Sequence, residues 1–476
     1  MTRPIPTLVA ALLSFSAATP AFAQAATPDE GIAVGAWTFR PSLEVRIRGE
    51  YMRHPVDTGG DVFGSTAVLA DGVGSNLPTI VDTQAQVKDQ YLVAERSRVG
   101  LAVDRGPVTA AVTLQDARVF GTTETAFAGP GEPALPSFAP LEAYLDLHTR
   151  SGRRVFFRVG RQRVQWGDGW LVGEDEWSPT ARALDAARFG MQLGDLDVET
   201  MAALLAAPGG LPPSASGTQE SAPPATGSQL YGLDAVYHLW PLLQAEVTGL
   251  ARIVREPVPT SLTPGDTFVI DGRLFGDRRG FRYAAEGAVE LGRVGLEAGQ
   301  RDLAAFAFNA HASLETRLLW HLTFGVEGAY ASGDDGTTKG NLTRFDPILP
   351  NEHDILGPMS LFAWSNVAEV GGTIGAKPMD GLDVLLGYRY VALADAQGRW
   401  TTAALDPVGA APTNTSSSLG HELDASFRVA PWQPIAFETG YGLFVDGDGA
   451  RAILRDVGRP ATLQHWVYLQ AQVRAP

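Results

Sequence analysis

Apolar and polar residues alternate along most of this chain, and each alternating run ends in a turn or a long polar loop. The pattern is clearest over residues 154–193. Val155, Phe157 and Val159 share one parity while Arg154, Phe156 and Arg158 share the other; after a loop, Ala187, Phe189 and Met191 oppose Arg188 and Gln192. A period of two predicts strands with one apolar face. That face would be buried in a soluble sandwich and turned to lipid in a membrane barrel, so one hairpin does not choose between them.

The remaining runs do choose. A first strand is predicted over residues 42–51, with Leu43, Val45, Ile47 and Gly49 opposing Glu44, Arg46, Arg48 and Glu50, and a long loop follows to about Lys88. Further strands are expected at 91–104, from Val108 through LQDARVFG, and at 141–148, with Arg105-Gly106-Pro107 as a tight turn. After the hairpin come runs near 198–206, 231–239 and 243–248, a loop to about Arg279, and runs at 281–290, 294–300, 306–314 and 322–330. The last runs lie at 368–374, 382–390, 421–428, 435–444 and 463–475. Short turns (194–195, 292–293, 378–381) alternate with long loops (52–88, 207–228, 332–362, 394–419). A soluble sandwich has no reason to gather its long loops at one end, whereas outer-membrane barrels have short periplasmic turns and long extracellular loops. The predicted architecture is all-β: a single transmembrane antiparallel β-barrel of about eighteen strands.

Composition sharpens this picture. Residues 1–23 read as a secretory signal peptide, with Arg3, an apolar run over 8–15, and Ala21-Phe22-Ala23 as a small-x-small cleavage site, leaving 24–476 as the barrel. Its removal takes the formal charge from -16 to -17, and the remaining cations form no tract that could grip a nucleic acid. The absence of cysteine excludes disulfides, thiolate metal sites and thiol nucleophiles. No window approaches the ~18 to 20 consecutive apolar residues of a membrane helix, although apolar types make up 45% of the chain. No linker divides the sequence, which favours one large sheet.

Within this pattern, Gly160-Arg161-Gln162, Gly167-Asp168, Leu171-Val172-Gly173 and EWSPTARALDAARF at 176–189 resemble the alginate-export family of bacterial outer-membrane channels. LQDAR at 114–118, ASGDDG at 331–336, FDP at 345–347, LGHELD at 419–424 and GYGLF at 440–444 extend the similarity from about residue 40 to the end. The resemblance implies an eighteen-stranded barrel, a lumen narrowed by inward loops and lined with arginines, and passage of an anionic polyuronate or smaller acidic solutes. It places the loop from Trp166 to Arg182 at the external side of the channel. Outer-membrane lipid and the barrel-insertion machinery are the expected partners of a monomer, with no cofactor. Two features depart from the family pattern: the chain ends on LQAQVRAP rather than on an aromatic residue, and the Ala- and Pro-rich stretch 207–228 matches nothing in it.

The polar parity would line the lumen. Its arginines, Arg46, Arg48, Arg96, Arg98, Arg158 and Arg188, fall early in the chain, while carboxylates come from later strands: Glu246, Glu286, Glu290, Glu327, Glu369, Glu422 and Asp424. A basic wall facing an acidic one would attract and orient anions whatever the net charge. Arg182 and Arg389 are further pore-lining candidates. Arg161 and Arg163 fall on the lipid parity, which costs roughly 2 to 4 kcal/mol for an arginine at mid-membrane, so either a bulge at Gly160 turns them inward or they lie above the membrane. The alternative use of these arginines is bracing, by salt bridges to Glu44, Glu50, Glu142 and Asp146.

Trp166, Trp170 and Trp177 could stack on sugar rings, but an interfacial girdle is the ordinary role for Trp166 and Trp170. Asp334, Asp335, Asp446 and Asp448 offer oxygen ligands for calcium without the full loop spacing. His421, Asp424 and a serine make a triad on paper, yet neither G-x-S-x-G nor H-E-x-x-H occurs. An outer-membrane channel is thus the leading reading. A barrel enzyme (lipase or polysaccharide-modifying hydrolase) and a structural barrel without conductance stand as alternatives.

Overall fold

The computed structural model describes residues 31–53, 89–121, 137–149, 154–206, 228–240, 242–254, 265–295, 300–317, 319–336, 340–353, 355–432, 434–458 and 463–475. The signal peptide expected at 1–23 and most of the loops expected at 52–88 and 207–228 lie outside them. Eighteen long strands follow one another round a cylinder. They are β1 (Trp37–Arg53), β2 (Gln90–Arg105), β3 (Val108–Gly121), β4 (Ser137–His148), β5 (Val155–Gln162) and β6 (Leu184–Leu193). Next come β7 (Leu196–Ala206), β8 (Ser228–Trp240), β9 (Leu243–Val254), β10 (Gly265–Arg278), β11 (Phe281–Val294) and β12 (Arg301–Glu315). The cylinder ends with β13 (Thr323–Ala331), β14 (Val367–Met379), β15 (Leu382–Ala392), β16 (Ser418–Trp432), β17 (Ile435–Asp446) and β18 (Gln464–Ala475).

Every pairing in the cylinder is antiparallel, and β1 pairs with both β2 and β18, which closes it. Closure leaves no sheet edge, and this matters in lipid because unpaired backbone groups there cost several kcal/mol each. The connections at one end are short, such as 106–107, 194–195 and 279–280, while the other end carries 163–183, 332–366, 393–417 and 447–463. Outward-facing side chains are apolar and exposed, among them Ile47, Val99, Leu145, Phe189 and Ile270. Their inward neighbours are mostly charged, polar or small.

Strand by strand, the periodicity contains two errors that cancel in the count. The stretch read as a loop to about Arg279 contains β10, in which Thr267 and Val269 are buried on the inward face while Phe268 and Ile270 are exposed outward. Apolar residues on both faces hide the alternation. Gly292 and Arg293 are not a turn but lie inside β11, opposite Thr267 and Asp266. Of the strand expected at 294–300, Val294 is the last residue of β11, and residues 296–299 lie outside the described residues.

The core of the molecule lies inside the barrel. Val164, Trp170, Leu171, Phe345, Trp364 and Phe362 from two long loops cluster with Trp400, Val408 and Ile453 from two others. Trp364 meets Trp170 and Phe345 edge-on at 4.9 and 5.1 Å, and Phe362 stacks on Trp400 at 5.8 Å. Helix α1 (Asp448–Asp456) buries Ile453 and Leu454 in the same cluster. The loops therefore fold into the lumen at their end of the barrel. The girdle role expected of Trp166 and Trp170 is overturned: both are buried inside, and the Trp166 indole donates at 3.0 Å to Glu199 on the inward face of β7. A tryptophan in a loop that folds back into the barrel finds apolar partners there without reaching lipid.

Candidate functional site

On β1 and β2 the inward positions bring four arginines into one patch. Arg46 stands opposite Arg96 and Glu44 opposite Arg98 in the ladder. Arg46, Arg48, Arg96 and Arg98 are each no more than 6% exposed. Packing four guanidinium groups away from water is costly unless acceptors surround them. The wall itself supplies Glu44 to Arg96 at 2.6 and 2.9 Å, Glu50 to Arg48 at 2.6 Å, and Gln115 to Arg98 at 2.8 Å.

The remaining acceptors come from the loop 163–183. Arg46 donates to the carbonyls of Glu176, Trp177 and Ser178 at 2.8, 3.0 and 3.0 Å, and Arg48 donates to the Trp177 carbonyl at 2.8 Å. Arg48 also lies 3.9 Å over the Trp177 ring. The Glu176 carboxylate accepts from Arg96 and Arg98 at 2.9 Å and from Arg163. Burial raises the Glu176 carboxyl, but Arg98, Arg163 and Arg96 outweigh burial and hold it down to about 2.

The same loop is fastened on the far side of the barrel. Both oxygens of Asp168 accept from Nη2 of Arg273 of β10 at 2.8 Å, and Nη1 of Arg273 donates to Glu246 at 2.8 Å. The backbone amide of Gly167 donates to Glu246 at 3.1 Å, and His311 of β12 stands 3.7 Å from Asp168. In a ring of eighteen strands β1 and β10 are diametrically opposed. The eight residue-to-residue steps from Asp168 to Glu176 reach at most about 29 Å when extended, enough for a strap across the lumen.

The loop 332–366 clamps this strap. Asn351 accepts from the Asp175 amide at 2.8 Å and donates its own backbone amide to the Gly169 carbonyl at 2.9 Å. Arg182 donates to the carbonyls of Gly173, Leu349 and Pro350 at 2.8 to 3.0 Å. His353 stacks on Trp177 at 3.6 Å, and burial beside Arg48 pushes its imidazole down to about 3. Burial and the neighbouring Asp175 raise the Glu352 carboxyl to about 7, and burial raises Asp175 as well.

Arg158 faces inward, paired with Asp146 at 2.6 Å and lying over Tyr144 at 4.3 Å, and Arg188 pairs with Glu199 at 2.6 Å. The carboxylates Glu246, Glu286, Glu290, Glu327, Glu369, Glu422 and Asp424 all occupy inward positions, but Arg252, Arg273 and Arg389 are interspersed among them. Arg389 reaches Glu327, Glu422 and Asp424 at 2.8, 3.2 and 2.7 Å. Neither wall is of pure sign.

The two arginines left ambiguous by parity separate. Arg163 lies just past the end of β5 and turns inward to Glu142, Glu174 and Glu176. A lumen position for Arg161 is overturned. Gly160 carries a φ of 123° yet keeps regular pairing with Tyr144 and Ala186, so no bulge turns the strand. Arg161 stays outward near the loop end and pairs with Asp185 at 3.0 Å.

Among the described residues, no three His, Asp or Glu side chains gather in a way that could hold a metal ion. Asp334 is held by Arg301 and by the amides of Gly336 and Thr343, Asp446 accepts from Gln464, and Asp448 pairs with Arg451; Asp335 is exposed. The paper triad does not assemble either, because His421 faces outward against the Tyr388 hydroxyl at 2.9 Å while Asp424 faces inward to Arg389. Glu176 and Arg273 were not singled out from sequence. The acidic run 174–176 close to a predicted arginine wall was the available signal for Glu176.

A closed barrel with an apolar outer face, a charged lumen and long loops folded into it defines an outer-membrane channel of the porin type. The chain belongs to the alginate export family, whose model matches residues 75–206 and 260–458. Among solved structures it is similar to OccK8 (OprE) of Pseudomonas aeruginosa, with a TM-score of 0.55, 10% identity, and coverage of 92% of this chain and 98% of that one. It is similar also to OccK2 (OpdF) of the same organism, in complex with glucuronate, with a TM-score of 0.55, 9% identity, and coverage of 92% and 97%. OccAB1 of Acinetobacter baumannii gives a TM-score of 0.53 at 9% identity with the same coverage, 92% and 97%. At these identities the likeness is one of fold. No curated protein sequence matches the chain.

Proposed function

We propose that the protein is a passive outer-membrane channel for carboxylated solutes, an acidic polysaccharide or its uronate units, guided through the lumen by guanidinium groups. The observation that carries this reading is the patch of Arg46, Arg48, Arg96 and Arg98, whose acceptors are lent largely by a loop. A wall designed only to be rigid would carry its own counter-charges. Here the wall offers more donors than its own carboxylates satisfy, and the surplus suits a ligand bearing carboxylates and hydroxyls. Glu246, Glu286 and Glu290 of β9 and β11, across the lumen from the patch, add a transverse field that orients such a ligand, moderated by Arg252 and Arg273 among them.

OccK2, a barrel of the same fold, is found in complex with glucuronate, and that supports the solute class by analogy of fold. No side chain performs chemistry in this reading. Outer-membrane lipid surrounds the apolar band, and the insertion machinery engages the closing strand of a single-chain barrel. The test is the reversal potential of the purified protein in a planar bilayer under a salt gradient. Anion preference is expected, and it falls in the R96E/R98E variant; ion selectivity unchanged by that reversal contradicts the proposal.

A further inference from the structure

Two turns at the short-connection end of the barrel meet and expose cations beside aromatic and aliphatic side chains. The β10–β11 turn runs through Arg278, Arg279 and Gly280, and the connection from β12 to β13 carries Arg317, Leu319, Trp320 and His321. The turns touch where the Glu315 amide donates to the Gly280 carbonyl at 2.8 Å. Residues 319–321 also pack against β14, which brings Lys377 to the same end. Arg279, Trp320 and His321 hold left-handed backbone conformations, with φ of 56°, 66° and 47°. Such a conformation is costly for any residue with a Cβ. Leu319 and Trp320 are nevertheless 77% and 51% exposed, so packing within the chain does not offset it. The two carboxylates of the patch are already engaged, Asp277 by Arg282 at 2.9 Å and Glu315 by His321 at 3.8 Å, whereas Arg278, Arg279 and Arg317 make no ion pair among the described residues.

The patch is continuous with the lipid-facing wall. Arg278 keeps the outward parity of Ile270 and Leu274 and stands opposite Phe281; Phe281 stands opposite Leu314, and Leu314 opposite Phe324. These three apolar side chains are exposed. In outer-membrane barrels the short turns face the periplasm, so this edge meets the headgroups of the inner leaflet, the level at which tryptophan anchors. We propose that Arg278, Arg279 and Arg317 bind the phosphate of an anionic phospholipid of that leaflet, with its acyl chains along Phe281, Leu314 and Phe324 and Trp320 beside its headgroup. Guanidinium groups present paired donors that match phosphate oxygens, and the apolar row next to them takes the tails. A soluble acidic peptide or polymer would engage the cations and leave that row uncovered, which is why the occupant is a lipid. The site lies outside the lumen and does not depend on what the channel carries.

The experiment uses the full chain folded in detergent and offered equimolar phosphatidylglycerol and phosphatidylethanolamine, with bound lipid read by native mass spectrometry. The wild type should retain phosphatidylglycerol in preference. Each of R278Q, R279Q and R317Q should lower that preference about fivefold, and the triple variant should abolish it. Because the single substitutions sit at exposed positions, the test does not hang on folding of the triple variant, and the heat-sensitive electrophoretic shift of a folded barrel is checked for each. W320A, which keeps the cations, should lower retention of phosphatidylglycerol severalfold. R161Q/R293Q removes two outward arginines that are already paired with Asp185 and Asp302, and it should change nothing. Equal retention of the two lipids by the wild type, or an undiminished preference in the folded single variants, overturns the proposal. Displacement of bound phosphatidylglycerol by soluble polygalacturonate also overturns it, by showing a polyanion site in place of a lipid site.

Discussion

Both oxygens of the Asp168 carboxylate accept from Nη2 of Arg273 at 2.8 Å, joining a loop that leaves β5 to a strand five positions further round the wall. The two residues are 105 positions apart in sequence. Their pairing sets one end of the strap, and the Arg46–Arg98 patch sets the other. Removing one partner of a buried pair costs about 3 to 5 kcal/mol. Because Glu246 keeps hold of Arg273, D168N should fall at the lower end, about 3 kcal/mol, and it should act on the strap without touching the strand ladder. The expected result is larger and more frequent current fluctuations in a barrel of unchanged thermal stability.

Trp177 joins the strap to the wall and to the second loop at once, between Arg48 at 3.9 Å, His353 at 3.6 Å and Tyr468 at 5.2 Å. W177A should weaken docking of the strap by about 3 kcal/mol, as expected for a packed tryptophan lost from such contacts. Limited proteolysis of the folded barrel should then cut within 163–183 at least tenfold faster than in the wild type. W177F, which keeps a ring against Arg48, should be intermediate.

Docking of the two loops should also depend on pH. Glu352 and Asp175 meet at the contact between the loops, with Arg182 4.0 Å from Glu352, and Asp406, Arg48 and Glu176 also face the pair. The Glu352 carboxyl is raised to about 7, by burial first and then by Asp175. A carboxyl that holds its proton longer when docked favours docking at low pH, and that contribution is lost as pH rises through about 7. Gating events should therefore become more frequent between about pH 6.5 and pH 8, below which the buried, uncharged His353 acts in the opposite sense, and E352Q should flatten the profile.

Arg161 and Arg163 make a paired control, two residues apart and on opposite faces of the wall. R161Q should leave ion selectivity as it is, since Arg161 points outward to Asp185. R163Q should change selectivity, because it removes a cation that faces Glu176 across the strap. Equal effects of the two variants would contradict the assignment of faces.

Much of the barrel was legible from the chain because lipid and lumen impose opposite demands on successive residues. Ile47 between Arg46 and Arg48 is the simplest case, exposed at 48% between two arginines that are nearly buried. β10 was hidden for the converse reason: Val269 lies on the inward face in place of a polar residue, so Phe268-Val269-Ile270 reads as a run. The strap was not legible in the residue pattern, and only the family resemblance pointed to inward loops. Whether Trp166, Trp170 and Asp168 point to solvent, lipid or lumen is decided by partners such as Trp364, Glu199 and Arg273, which lie far away in sequence and leave no local periodicity. The arginine patch was visible as a pattern, but its partners were not, because backbone carbonyls of Glu176, Trp177 and Ser178 carry no signature in residue type.

The most direct test is to fix the strap to the wall and ask whether transport stops. Gln115 of β3 donates to the Thr180 carbonyl at 2.7 Å, and the chain has no cysteine of its own. A Q115C/T180C variant treated with a short bis-methanethiosulfonate should carry a single defined bridge. Bilayer conductance and glucuronate block should both fall on bridging and recover when a reductant cleaves the linker. Identical conductance and block in the bridged and cleaved states would contradict a strap that moves to admit solute.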